Sequence, residues 1–233
     1  MRFAAFLIVF CVLSGFAQEK LPEVKNDSIF TKVDSLYRED QFYFAVTYNI
    51  LQKSPRGFSQ NGLSTGLNFG FLRDMPVNKK RTVAVALGLG ISYNKYHQNL
   101  LVSENSGAYH YEIIDGVSYS RNKLEQLFLD VPIEFRWRNS TFESHKFWRV
   151  YAGFKARYLV FDKTKFIGPT DIKVMQNPDF NKWQFGPYLS FGYNTWNFHA
   201  YYGLNPLFKS SAKIDGVPID MRTLNLGLMF YIL

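Results

Sequence analysis

The chain carries 27 Lys and Arg against 19 Asp and Glu in 233 residues, for a net charge of +8. The basic residues are scattered apart from Lys79-Lys80-Arg81, with no gathered face and no binding motif, which excludes a nucleic-acid partner; attraction to anionic lipid headgroups accounts for the excess. Aromatics make up 18% of the residues, yet beyond the first seventeen positions no apolar run is long enough for a transmembrane helix, the combination expected where only alternate residues of a strand meet lipid.

Met1-Arg2 supplies a charge, residues 3–13 an apolar stretch, and Gly15-Phe16-Ala17 a small-x-small cleavage site before Gln18. Residues 1–17 read as a secretory signal peptide, too short to span a bilayer. No Cys follows Gly15, so a lipoprotein signal is absent. Cys11, the only cysteine, leaves with the signal, and the mature chain then has no thiol for a disulfide, a metal or a nucleophile. Losing Arg2 leaves a net charge of about +7 on about 215 residues, one domain in length. Residues 18–40 are not strand-like. Asp27 or Ser28 can cap a short helix with Ile29, Val33, Leu36 and Tyr37 on one side; simple disorder is the alternative. This segment is expected to be a periplasmic tail.

From Gln41 to the end of the chain the period is two, and eight strands follow. The first turns Phe42, Phe44, Val46, Tyr48 and Ile50 outward and Tyr43, Ala45, Thr47 and Asn49 inward. The second (63–71) and third (83–94) pair an apolar outer face with an inner face of Ser, Gly, Ala and Asn. The fourth (127–138) faces Leu127, Leu129, Val131, Ile133, Phe135 and Trp137 outward, with Asp130, Glu134, Arg136 and Arg138 inside. The fifth (148–160) sets Arg149, Tyr151, Gly153, Lys155 and Arg157 inside. The sixth (184–193) contains Pro187, which implies a bulge or local break. The seventh (198–205) puts His199, Tyr201 and Asn205 inside. The eighth alternates Leu224, Leu226, Leu228, Phe230 and Ile232 against Asn225, Gly227, Met229 and Tyr231. The fold class is therefore all-β: an eight-stranded antiparallel up-and-down transmembrane barrel over residues 41–233 with a short N-terminal tail, its narrow bore filled by its own side chains. Turns near 74–81, 139–147 and 194–197 fall on the periplasmic side. Longer loops near 52–62, 97–123, 162–182 and 206–219 fall outside. Trp137, Trp148 and Trp196 then sit at the periplasmic rim and Trp183 at the outer rim, at headgroup level.

The inner faces of the fourth and fifth strands hold the most charge. Asp130, Glu134, Arg136 and Arg138 lie across a hairpin from Arg149, Lys155 and Arg157, with Asp130 placed opposite Lys155 to within two residues. Buried charges need partners, so a plug of salt bridges is the first reading; a gate or narrow polar path, and a catalytic carboxylate, are the others. The histidines are His97, His110, His145 and His199. His199 neighbours the strand of Ser190, and Ser92 also faces inward, a weak match to the Ser–His pairs of barrel hydrolases. No metal-ligand spacing occurs, the acids of the 97–123 loop are too sparse for calcium, and no cofactor is expected.

Four resemblances add to this. The ending Asn225-x-Gly227-x-x-Phe230-x-Ile232 resembles the C-terminal signal read by the outer-membrane assembly machinery. Asp27-Ser28-Ile29 and Asp34-Ser35-Leu36 resemble the O-glycosylation acceptor of secreted Bacteroidota proteins, with Ser28 and Ser35 as acceptors. Ala17-Gln18 is similar to cleavage sites in that phylum. The run Phe128-Leu129-Asp130-Val131-Pro132-Ile133-Glu134-Phe135-Arg136-Trp137-Arg138, followed by Lys146-Phe147-Trp148-Arg149-Val150-Tyr151-Ala152-Gly153, resembles the signature hairpin of Bacteroidota PorT-like outer-membrane barrels, and the likeness extends loosely over residues 41–233. It implies a Gram-negative outer-membrane location with outer-membrane lipids and the barrel assembly machinery as partners. It also implies a non-enzymatic structural or accessory role, such as in type IX protein secretion or gliding, with the machinery proteins as further partners. A small porin or passive channel and a lipid-modifying barrel enzyme are the alternatives. The family supplies no catalytic residues to carry over.

Overall fold

Residues 40–139 and 147–232 are described by the structure, a computed structural model. The signal peptide, the tail helix, Ser28, Ser35 and His145 lie outside the described residues. The strands are β1 (Gln41–Gln52), β2 (Thr65–Pro76), β3 (Val83–His97), β4 (Leu100–Asn105), β5 (Ala108–Ile113), β6 (Arg121–Arg138), β7 (Trp148–Ile167), β8 (Ile172–Met175), β9 (Trp183–Tyr193), β10 (Trp196–Tyr202), β11 (Lys213–Ile214), β12 (Val217–Pro218) and β13 (Arg222–Ile232).

Strict alternation drives the architecture. Along β1 the odd positions Tyr43, Ala45, Thr47 and Asn49 are buried, whereas Phe42, Phe44, Val46 and Tyr48 are exposed. The same inversion, apolar outside and polar within, runs through β2, β3, β6, β7 and β9. A surface this apolar is far larger than water-soluble proteins expose; lipid is the solvent it fits. A bilayer core offers no water to unpaired backbone groups, so the sheet has to close. It does: the antiparallel order β6-β3-β2-β1-β13-β10-β9-β7 is completed by β6 pairing with β7. The first and last strands join from Phe42↔Ile232 to Gln52↔Arg222. These are the eight expected strands; among the described residues no helix is long and apolar enough to cross a membrane.

The outer wall has two aromatic levels. Trp148 and Trp196 both face Tyr193, and Trp137 lies opposite Val83 and Val150 at the same end. At the other end Trp183 pairs with Tyr158, their rings 5.1 Å apart. All four indoles point outward and are exposed. Ten residues of β7 separate Trp148 from Tyr158. At about 3.3 Å per residue and a tilt near 40°, that is roughly 25 Å, the height of a barrel's apolar band.

Of the bulge or local break expected at Pro187, the structure has the break and not the bulge: β9 keeps one register with β7 from Trp148↔Tyr193 to Tyr158↔Trp183. Its ladder to β10 does lapse: pairing ends at Tyr201↔Tyr188 and resumes where Leu204 N–H donates to the Phe185 carbonyl at 2.8 Å. Among the described residues the one register shift lies between β6 and β7, at Leu127/Phe128. The outer loops, moreover, hold ordered structure. β6 starts at Arg121 and β7 runs to Ile167, β8 adds to the top of β7, and β4–β5 and β11–β12 form small hairpins. Both hairpins turn through two residues of positive φ, Ser106-Gly107 and Asp215-Gly216, the combination that matches the twist of paired strands. These elements bury Leu100, Val102, Val174, Phe180, Phe208 and Ile219 with Tyr96 and Phe128 of the barrel in one apolar cluster over the outer mouth. Phe180 and Phe208 stack at 4.5 Å.

Candidate functional site in the barrel lumen

The charged inner residues form two clusters, one above the other. In the lower, at the periplasmic end, Arg138 donates from Nη1 and Nη2 to Asp74 Oδ1 and Oδ2 at 3.0 and 2.8 Å. Arg136 Nη1 donates to Asp74 Oδ1 at 2.9 Å and its Nε to Glu134 Oε2 at 2.8 Å. Tyr188 O–H completes the chain on Glu134 Oε1 at 2.9 Å. Asp74 stands on β2 and the arginines on β6, one strand apart. The strand between is β3, and it offers only Ala84 and Ala86 at this level, each fully buried. Small side chains there let guanidinium and carboxylate meet across it.

In the upper cluster Asp130 Oδ2 is 3.3 Å from Lys155 Nζ, and Asp130 Oδ1 is 3.3 Å from Arg157 Nε. Ser92 Oγ donates to Asp130 Oδ1 at 2.9 Å and accepts from Arg157 Nη2 at 2.7 Å. The directly opposed pair is Asp130↔Arg157, with Lys155 facing Pro132, two residues from the sequence-based register. Above it Asn49, Asn94 and Asn225 form an amide triangle, with bonds of 2.5, 3.0 and 3.2 Å.

Rings fill the space between. Tyr43 lies across Gly70, where a Cβ would come within 2.6 Å of the ring, and its hydroxyl lies against Gly90. Tyr188 covers Gly153 in the same manner. The gap among Tyr43, Glu134, Lys155, Tyr188 and Met229 has no room for a water molecule. Lys155 and Arg157 also sit over the Tyr201 ring, at 5.8 and 4.9 Å, a favourable use of ring faces by buried cations.

Glu134 meets Arg136 of its own strand; it does not meet the expected Arg149, Lys155 or Arg157, because both side chains lie on the inner face of β6 two residues apart. Arg149 is not brought to a carboxylate among the described residues. It lies 4.6 Å from the Phe147 ring centre and 5.4 Å from that of Tyr231. The two clusters therefore hold three acids, Asp74, Asp130 and Glu134, and with Arg149 the lumen level holds five bases. Asp74 escapes the sequence pattern because Arg73 interrupts the apolar outer face of β2 between Phe71 and Met75, yet the inner face continues through Leu72 to Asp74, both fully buried.

His199 and Ser190 face each other across β10 and β9. Ser190 is fully buried and His199 is 3% exposed, so an ester or lipid substrate has no approach to that pair. Ser92 is engaged by Asp130 and Arg157. Among the described residues no cluster of His, Cys, Asp and Glu could hold a metal ion. The arrangement is buried and ring-packed.

The closing strand places Asn225 and Gly227 toward the lumen, with Gly227 in close contact with the Val46 carbonyl. Phe230 packs against Trp196 at 5.5 Å on the outer wall, and Ile232 is exposed beside it.

No curated protein matches the chain. Among solved structures, the fold is similar to the crystal structure of Ail, the attachment invasion locus protein of Yersinia pestis. The TM-score is 0.35 at 13% identity, over 83% of this chain and 99% of that one. It is similar also to Ail in complex with the heparin analogue sucrose octasulfate, with a TM-score of 0.32 at 13% identity, over 82% and 99% of the two chains. The outer membrane protein beta-barrel domain family matches residues 16–209, and the closed eight-stranded barrel with its lipid-facing wall agrees: the chain belongs to that family and resides in the outer membrane of a Gram-negative bacterium.

Proposed function

We propose that this barrel is a non-conducting, non-enzymatic structural or accessory component of an envelope machine, PorT-like, serving protein export of the type IX kind. The observation that carries the reading is the filled lumen. Two salt-bridge clusters, an amide triangle and interleaved tyrosines occupy the bore, and an apolar cluster covers its outer mouth. A channel would spend none of its interior on such packing, and an enzyme would leave its polar groups within reach of substrate. The sequence of the β6–β7 hairpin, from Phe128 to Gly153, supports the family-level likeness. In this reading the ordered outer elements make the machine contacts. Phe230 and Ile232 present the closing strand to the assembly machinery, and the four Trp anchor the wall at headgroup level.

Deletion of the gene, with complementation, tests the role. Loss of exported proteins from the culture medium, with outer-membrane integrity intact and export restored by the wild-type gene, is the expected result. Normal export in the deletion strain would remove the export role. Affinity purification from native membranes would then name the partners.

A further inference from the structure

One wall of the barrel, above the outer aromatic level, carries cations in direct register. His97 on β3 opposes Lys123 on β6, Lys123 opposes Lys165 on β7, and Lys165 opposes Lys173 on β8. In the row beneath, Lys95 opposes Glu125, and Glu125 opposes Lys163. All point away from the lumen, on the same face as Tyr93, Leu127 and Phe161, the last apolar residues below them. Like charges directly opposite one another destabilise a sheet, and three lysines in a line are such an arrangement. Glu125 answers part of it, at 2.6 Å from Lys123 and 3.7 Å from Lys163. Among the described residues Lys165 and Lys173 pair with no carboxylate. At the outer ends of β1 and β13, by contrast, Lys53 and Arg222 share Asp220 at 3.5 and 3.2 Å. Burial, then the charges of Lys95, Lys123 and Arg121, hold the His97 imidazole below its ordinary pKa, a sign of the positive field there.

We infer that the Lys123–Lys165–Lys173 ladder, with Lys95 and Lys163 below it, is a binding site for the phosphorylated headgroups of outer-leaflet lipid. The level decides the ligand. The first two polar rows above the lipid-facing surface stand beside headgroups, and they face sideways into the leaflet. A soluble polyanion would meet the loops first. Phosphate oxygens between neighbouring lysines turn a repulsive ladder into a bridged one. The inference is independent of any role in export.

The test uses full-length mature protein in phosphatidylcholine nanodiscs. Binding of bisphosphorylated lipid A is read by native mass spectrometry. The comparison is between wild type, the triple variant Lys123→Gln/Lys165→Gln/Lys173→Gln, and an equal-charge control, Lys53→Gln/Lys182→Gln/Lys213→Gln. Removing one lysine from the headgroup site should weaken binding about fivefold, so the triple variant should bind on the order of 100-fold more weakly. The control should change less than about threefold by the same scale. The unboiled gel shift confirms that each variant is folded. Equal binding by wild type and triple variant overturns the site, and so does equal binding of dephosphorylated lipid A. Competition by inorganic phosphate or polyphosphate at the same phosphate concentration as the lipid overturns the assignment to lipid.

Discussion

Asp74 and Arg138 meet in a two-toothed ion pair, Nη1 to Oδ1 at 3.0 Å and Nη2 to Oδ2 at 2.8 Å, with both side chains wholly buried. The partners are 64 residues apart in sequence and sit on strands separated by an alanine-lined third. This pair and its neighbour Arg136 tie β2 to β6 through the lumen, in addition to the backbone ladder that runs by way of β3.

Asp74→Ala should therefore be among the most destabilising single changes in the barrel. Among the described residues, it removes from a buried interior the only carboxylate bonded to Arg138 and one of the two bonded to Arg136, and breaking such a buried pair costs about 3–5 kcal/mol where an exposed pair is worth roughly 0–1. Urea unfolding followed by the disappearance of the gel-mobility shift measures it. The loop variant Glu104→Ala should unfold like wild type.

Glu134→Ala should also lower stability, and Arg136→Met in addition should recover part of the deficit. A double-mutant cycle on Glu134 and Arg136 is expected to show coupling of about 1–3 kcal/mol. A second cycle on Glu134 and Arg149, which do not pair, should show coupling within about 0.5 kcal/mol. Should Glu134→Ala leave stability unchanged and abolish an export phenotype, the plug role would be replaced by a functional one.

Gly90 leaves room for the Tyr43 hydroxyl. Gly90→Ala should destabilise by about 1–3 kcal/mol through overpacking. Tyr43→Phe, which removes the oxygen nearest the new methyl, should be less harmful in the Gly90→Ala background than in wild type. Thermal unfolding of the four proteins gives the comparison.

Asp162 lies above the outer aromatic level, where its Oδ1 accepts the Asn177 N–H at 2.8 Å. Burial holds its carboxyl above the ordinary pKa, outweighing that hydrogen bond and the charge of Lys182. A carboxyl raised on folding gives its full contribution below its unfolded pKa, about 3.9, and loses it as pH rises through the folded value. The segment around β8 should accordingly exchange its amides faster as pH rises, after correction for intrinsic exchange. Asp162→Asn should flatten that dependence.

The barrel itself was legible because period-two alternation is dictated strand by strand by lipid outside and a narrow bore inside. Legibility failed where lipid no longer imposes the pattern. Leu72-Arg73-Asp74 still alternates, but Arg73 points outward to Asp40 at 3.3 Å and hides the continuation of β2. The upper halves of β6 and β7 read as loop for the same reason. Ser106-Gly107 and Asp215-Gly216 were visible turn signals for the two outer hairpins and would have revealed them. The charge partners were harder. Asp130 finds Lys155 despite a two-residue difference in register, because a lysine stem reaches across that distance. Glu134, by contrast, is claimed by Arg136 on its own strand, which only the lumen geometry decides.

Closure of the bore is the central claim, and conductance reads it directly. Purified protein inserted into planar bilayers in about 1 M salt, a strength at which surface charges are screened to about 3 Å, should give no steady current above the bare membrane. Insertion is verified independently by protease protection. Stable, ohmic, long-lived channels from the inserted protein would contradict it.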